Sequence, residues 1–232
     1  MSDKLQLNTS TKLYYDGDSF SCMLPPGETQ TTGHVIADRL GYELEHYGFI
    51  SKSPAQTIRS SVRYSFEDVP CFMAIGIGVI SRLETFSEEV PDIPNKPAEY
   101  KRWREEDSIN SVQIFDTSAE TQQLFHWQYM EANLLFNLIQ LHDYLLYNDK
   151  NFIIHNLGFD IRADQDFVFS NKIYDEIRRR PRFINMFENS LHSQMKEKNM
   201  KPWDFNKHDW YGHPDEQGHL MYADYLMEHI DV

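Results

Sequence analysis

The run Cys71-Phe72-Met73-Ala74-Ile75-Gly76-Ile77-Gly78-Val79-Ile80 is apolar at every position apart from its two glycines. A strand with one wet face alternates. A run of this length without alternation has to be covered on both sides, as the central strand of a parallel sheet flanked by helices is. Asn151 to Leu157 is a second such run, and Leu13-Tyr14-Tyr15 and Tyr42 to Tyr47 are shorter strand signals. Between them the spacing turns helical. Helices are predicted at Gly33 to Leu40 (capped by Thr32 and ended by Gly41), Ala55 to Phe66, Ser170 to Arg179, Phe183 to Lys198 and Asp215 to Ile230. The last of these has Pro214 at its first position. A long helix is predicted from Ala119 to Leu146, where Leu124, Trp127, Leu134, Leu135, Leu138, Leu141 and Leu145 form a wide buried stripe. Strands alternating with helices predict an α/β fold: a three-layer α/β/α sandwich with a central parallel sheet, flavodoxin-like in plan.

The 232 residues fit one domain spanning 1–232. From Ser87 to Thr121 the chain is polar, broken by Pro91, Pro94 and Pro97, and carries the charged patch Lys101 to Glu106. It lacks a core of its own, so 87–121 reads as an insertion near the site, whose aromatic and basic residues either touch substrate or, as the simpler reading, form a solvated face. Residues 1–10 read as a polar lead-in without the apolar stretch of a signal peptide. No apolar run approaches the ~18 residues that would cross a membrane. The formal charge of -14 argues against nucleic acid as a partner, because phosphate binding rests on lysine and arginine. Cys22 and Cys71 follow no disulfide spacing and read as free thiols. These features together predict a soluble cytoplasmic protein, and they say nothing of its oligomeric state.

The chemistry gathers at the two ends. Thr11 to Tyr15 leads into Asp16-Gly17-Asp18, which cannot continue a strand, so Ser19 is delivered to a sharp turn at a strand's carboxyl end. Ligands of open α/β sheets bind at such ends. A serine hydroxyl is a weak nucleophile until a base takes its proton, and that base needs an orienting acid. Near the other terminus His213 sits at a loop–helix junction, with Asp209 the nearest acid and Asp204 and Asp215 as alternatives. Taken singly, a capping serine and a surface histidine explain these motifs. Together, at opposite ends of one domain, they favour a hydrolase site. Donors for an oxyanion would be the Ser19 N–H and the loops after the next strands, at Lys52-Ser53 and at Gly78 to Arg82, with Ser81 and Arg82 in reach. His213 and His219 are six apart, on different faces of a helix, so no shared metal ion is expected and His219 reads as a surface or packing residue. Gly76-Ile77-Gly78 lacks the third glycine of a dinucleotide fingerprint and reads as an allowance for close helix packing.

Gly17-Asp18-Ser19 after the first strand, with Asp209 and His213-Pro214 ahead of the last helix, resembles the SGNH (GDSL) hydrolase family. The stretch Gly212 to His219 is similar to that of divergent members found in tailed bacteriophages. The resemblance implies a serine esterase acting through an acyl-enzyme, with Ser19 as nucleophile, His213 as base and Asp209 as its partner. It implies small-molecule or saccharide ester substrates, an O-acetyl group among them, and no cofactor or metal. The chain departs from the pattern in two blocks. Ile80 stands where the family places an oxyanion-hole asparagine, and Lys52-Ser53 occupies the loop of a family glycine. Two alternatives stay open: a catalytically weak SGNH-like fold serving as a virion structural or binding module, and an acyltransferase.

Overall fold

The computed structural model describes residues 5–6, 10–49, 52–67, 69–78, 82–86, 109–113, 127–158, 160–161, 168–202 and 212–231. In chain order the elements of the first half are β1 (Leu5–Gln6), β2 (Lys12–Asp16), α1 (Ser19–Cys22), α2 (Thr32–Leu40), β3 (Glu43–His46), α3 (Pro54–Ser65), β4 (Cys71–Ile77), β5 (Arg82–Phe86) and β6 (Ile109–Gln113). The second half holds α4 (Trp127–Tyr147), β7 (Asn151–Asn156), α5 (Val168–Arg178), β8 (Phe183–Ile184), α6 (Leu191–Glu197), α7 (Glu216–Met227) and β9 (Ile230–Asp231).

Five strands form one parallel sheet in the order β3-β2-β4-β7-β8. The apolar run beginning at Cys71 supplies its middle strand, and every residue of β4 is buried. Side chains alternate across this sheet. Leu13, Tyr15, Phe72, Ala74 and Ile153 pack to one side, with Ile36 of α2, Leu191 of α6 and Tyr222 and Leu226 of α7. Tyr14, Met73, Ile75, Phe152 and Ile154 pack to the other, with Tyr64 of α3, Leu135 and Leu138 of α4 and Ile177 of α5. The protein is thus an α/β/α sandwich around a parallel sheet, as its strand–helix alternation predicts.

Several boundaries differ, each for a local reason. Phe183–Ile184 opens no helix: it is the edge strand, with Ile154 opposite Phe183. Asn185 and Asn189 follow with φ of 50° and 58°, a left-handed backbone that a helix interior does not allow, so α6 begins only at Leu191. Pro214 lies outside α7, which starts after Asp215, whose carboxylate accepts the Gly218 N–H at 2.8 Å as the N-cap. Ile230 belongs to no helix and pairs with Leu5 in a two-stranded parallel sheet, so the lead-in contributes a strand. Similarly, α2 is capped by Thr31 rather than Thr32. β5 and β6 pair with each other in an antiparallel ribbon running from Arg82 opposite Gln113 to Phe86 opposite Ile109. This hairpin begins before residue 87, while 87–108 and 114–126 lie outside the described residues. No described helix is long and apolar enough to cross a membrane.

Candidate active site

β2 ends at Asp16, and the chain turns at once into α1. Asp18 is the N-cap, its carboxylate accepting the Phe20 N–H at 3.0 Å, and Ser19 is the first helical residue. The turn is tightened by Ser21, whose N–H and Oγ both donate to the Asp18 carbonyl, at 2.9 and 2.6 Å. Gly17 and Gly78 are glycines for steric reasons. A Cβ at Gly17 would overlap Leu157 and Ser21, and one at Gly78 would overlap the Asp18 carboxylate. Gly76 likewise admits Leu157 and the Asp16 carbonyl. These strand glycines therefore accommodate the turn and a neighbouring leucine, not a packed helix. Ser19 is 3% exposed, and its Oγ makes no hydrogen bond to another described residue.

Behind the turn, on the α3 side, lies a polar cluster that the sequence reading missed. Asp16 is fully buried, and Lys52 is 1% exposed with its Nζ 2.5 Å from the Asp16 Oδ1. Lys52 also donates to the Tyr47 carbonyl and to Ser60 Oγ, at 3.1 and 2.7 Å. Tyr14 and Ser60 hydroxyls donate to Asp16 Oδ2 at 2.5 and 2.7 Å, and burial beside this carboxylate raises the Tyr14 hydroxyl well above the usual phenol range. A carboxylate ending a buried strand was the available signal, since such a charge requires a partner. The Lys52 N–H donates to the Phe49 carbonyl and the Ser53 N–H to Gln56 Oε1, where Ser53 caps α3. Neither amide is thus available as an oxyanion donor in this arrangement, which corrects the reading of Lys52-Ser53.

On the other side the tail of the chain docks against the head. Glu28 accepts the Glu216 N–H at 2.6 Å, and Glu216 accepts the Gln30 N–H at 3.1 Å. His219, fully buried, has Nδ1 3.0 Å from Thr32 Oγ1 and Nε2 3.4 Å from the Met23 carbonyl, so it is a packing residue of this junction. These contacts fix the start of α7, and the half-buried His213 ring lies 5.1 Å, centroid to centroid, from the ring of Phe20, the residue after Ser19. His192 of α6 meets the same phenyl ring edge-on at 4.8 Å.

Burial lowers the histidines around the turn: His46 to about 3, His219 to about 4 and, further along the sheet, His155 to about 3. Asp209 and Asp204 lie outside the described residues, as does Ser81; Arg82 opens β5, and its side chain is outside them too. Asp215 Oδ1 caps α7 by accepting the Gly218 N–H. Cys22 and Cys71 are buried and not joined in a disulfide, and burial pushes the Cys71 thiol up to about 11. A cavity of about 490 Å³ opens at the β8 edge beside Asn185, Asn189, Tyr225 and Arg180, away from Ser19. Its Arg180 is already paired with Asp143 and Glu176.

No protein-family model matches the chain, and no curated protein matches it significantly. Solved structures do. A G-D-S-L family protein from Desulfitobacterium hafniense DCB-2 superposes with a TM-score of 0.50 at 13% identity, over 95% of this chain and 100% of its own. LAE5, an α/β hydrolase enzyme from the metagenome of Lake Arreo, Spain, gives 0.50 at 13% identity, over 94% of each chain. At such identity the likeness is one of fold. With the sheet order, it shows that this chain shares their fold, a parallel sheet between two layers of helices.

Proposed function

We propose that this protein is a serine ester hydrolase with Ser19 as its nucleophile, His213 as its base and Asp209 as the acid that orients His213. One observation carries the reading. His213, nearly 200 residues away in sequence, rests on the ring adjoining a serine that opens a helix at the carboxyl end of a central strand. In the reaction Ser19 Oγ attacks the acyl carbon and its proton passes to the His213 ring. The tetrahedral oxyanion is held by the Ser19 N–H and by donors of the Gly78 to Arg82 segment, Ser81 and Arg82 replacing the amide that Ile80 cannot supply. Collapse breaks the ester bond, the leaving alcohol takes the proton from His213, and water activated by the same ring releases the acid. Catalytic hydrogen bonds commonly close only with substrate in place. Small-molecule or saccharide esters, O-acetyl groups among them, are the substrates this chemistry suits, and Gly212 to His219 supports a place among the divergent bacteriophage members. A second reading, an SGNH-like scaffold used for binding, is favoured by Ile80 and by a Ser19 Oγ that makes no hydrogen bond among the described residues.

A fluorophosphonate probe separates the two. The folded wild type is expected to be labelled, Ser19→Ala to take no label, and His213→Ala to lose at least ~10³-fold in rate. His192→Ala is expected to stay within about tenfold of wild type, because His192 is given no proton to move. Absence of labelling in well-folded wild-type protein would leave the binding scaffold as the answer.

A further inference from the structure

We propose that the buried Asp16–Lys52 ion pair positions the nucleophile, by fixing the Gly17 peptide from which the Ser19 turn hangs; this rests on the esterase reading above. Gly17 has no side chain to hold it, and Leu157 and Ser21 leave no room for one. The most mobile type of residue thus sits two positions before Ser19. Both of its peptide groups are nevertheless anchored. Its N–H donates to Asp16 Oδ1 at 2.7 Å, and its carbonyl accepts the Phe49 N–H at 3.3 Å. Lys52 closes the circuit, since its Nζ binds that same Oδ1 and lies 5.1 Å from the Phe49 ring centroid.

The cluster is fully matched. Asp16 accepts from Gly17, Lys52, Tyr14 and Ser60, and the three Lys52 protons go to Asp16, Ser60 and the Tyr47 carbonyl. Stability alone does not call for charges here. The rings of Tyr14, Tyr47 and Tyr64 pack against one another around the site, and a well-packed apolar pair commonly serves a buried position as well as an ion pair does. An apolar pair could not accept the Gly17 N–H or tie it to the segment from Tyr47 to Lys52. A displacement of the nucleophile by about 1 Å costs on the order of 10²-fold in rate, so an anchor at this point acts on turnover.

The test is the double variant Asp16→Asn/Lys52→Met, which leaves no unpaired charge, with Ser60→Ala as a milder variant that removes one bond from each partner. Three quantities are read: the rate of Ser19 labelling by fluorophosphonate, kcat and KM on a p-nitrophenyl ester, and amide hydrogen exchange across 16–22. Labelling and kcat are expected to fall about 10- to 100-fold in the double variant and a few-fold in Ser60→Ala, with KM unchanged and exchange raised in 16–22. Folded variants with wild-type labelling and wild-type exchange would overturn the proposal, as would a change in KM alone. Should the double variant fail to fold, Ser60→Ala decides by the same readouts. Should the wild type take no label, the esterase reading fails and exchange alone judges the anchor: raised exchange upholds it, unchanged exchange overturns it.

Discussion

The two sides of the Ser19 turn bury polar groups in opposite ways. On the α3 side the protein keeps a full ion pair, Asp16 with Lys52, and matches the hydrogen-bonding atoms of both. On the α7 side it buries histidines and keeps them neutral. His46 accepts the Gly48 N–H on Nδ1 at 3.2 Å, so its proton sits on Nε2 and reaches the Ser21 carbonyl, also at 3.2 Å. Tyr222 donates to the Asn156 carbonyl at 2.7 Å and accepts from Asn185 at 2.8 Å, so His155 Nδ1 is the donor in its 3.1 Å bond to the Tyr222 hydroxyl. The two arrangements have different weaknesses. An ion pair fails when one partner is removed, whereas a neutral histidine fails when it gains a proton. The turn is therefore expected to respond to mutation on one side and to pH on the other.

Removing a single charge probes the first side hardest. Lys52→Met strands the Asp16 carboxylate in an apolar interior and is expected to cost about 3–5 kcal/mol in urea unfolding. The double variant with Asp16→Asn should cost clearly less, because the stranded charge is gone. Equal losses in the two would mean that packing around Lys52, not its charge, holds this side. Gly78→Ala tests how firmly Asp18 is held between the sides, since the added methyl must displace the carboxylate that caps α1. A loss of roughly 2–3 kcal/mol is expected, with slower labelling of Ser19. Unchanged stability would show that Asp18 can move without consequence.

How much of this was legible depended on how far apart the cooperating residues lie in the chain. β4 reads directly, because ten residues without alternation admit only a strand covered on both faces. Ser19 reads because an Asp-Gly-Asp stop after an aromatic strand leaves the chain little choice but to turn. β8 did not read: two residues carry no period, and what ends the neighbouring helical pattern is the left-handed backbone of Asn185 and Asn189, a conformation asparagine tolerates but does not dictate. Lys52 is hidden for a different reason. Its place in a loop suggests a backbone donor, whereas its side chain runs inward to a carboxylate 36 positions earlier. That partnership appears only once β2 and β3 lie side by side. Glu216 with Glu28 and Gln30, and His219 with Thr32, show the same limit: each pair joins the two termini, and neither segment alone specifies the other.

The pH side of the comparison can be tested at one residue. His46, His155 and His219 hold folded values of about 3, 3 and 4, below the ~6.5 of an unfolded chain. Between about pH 6.5 and those values the unfolded state binds more protons than the folded one. Their contribution is thus complete above about pH 6.5 and is lost as the pH falls toward 4, at up to about 1.4 kcal/mol per pH unit for each ring. His155 is the cleanest to replace. Its Nε2 has no hydrogen-bond partner among the described residues, its ring stacks on Tyr15 with centroids 6.0 Å apart, and Tyr222 keeps its bonds to Asn156 and Asn185 without it. His155→Phe is expected to leave stability near wild type at pH 7, within about 1 kcal/mol, and to flatten the urea-midpoint profile below pH 6 by the slope of one ring. An unchanged slope would mean that His155 gains its proton in the native state, and that the α7 side is no more sensitive to acid than the side built on charge.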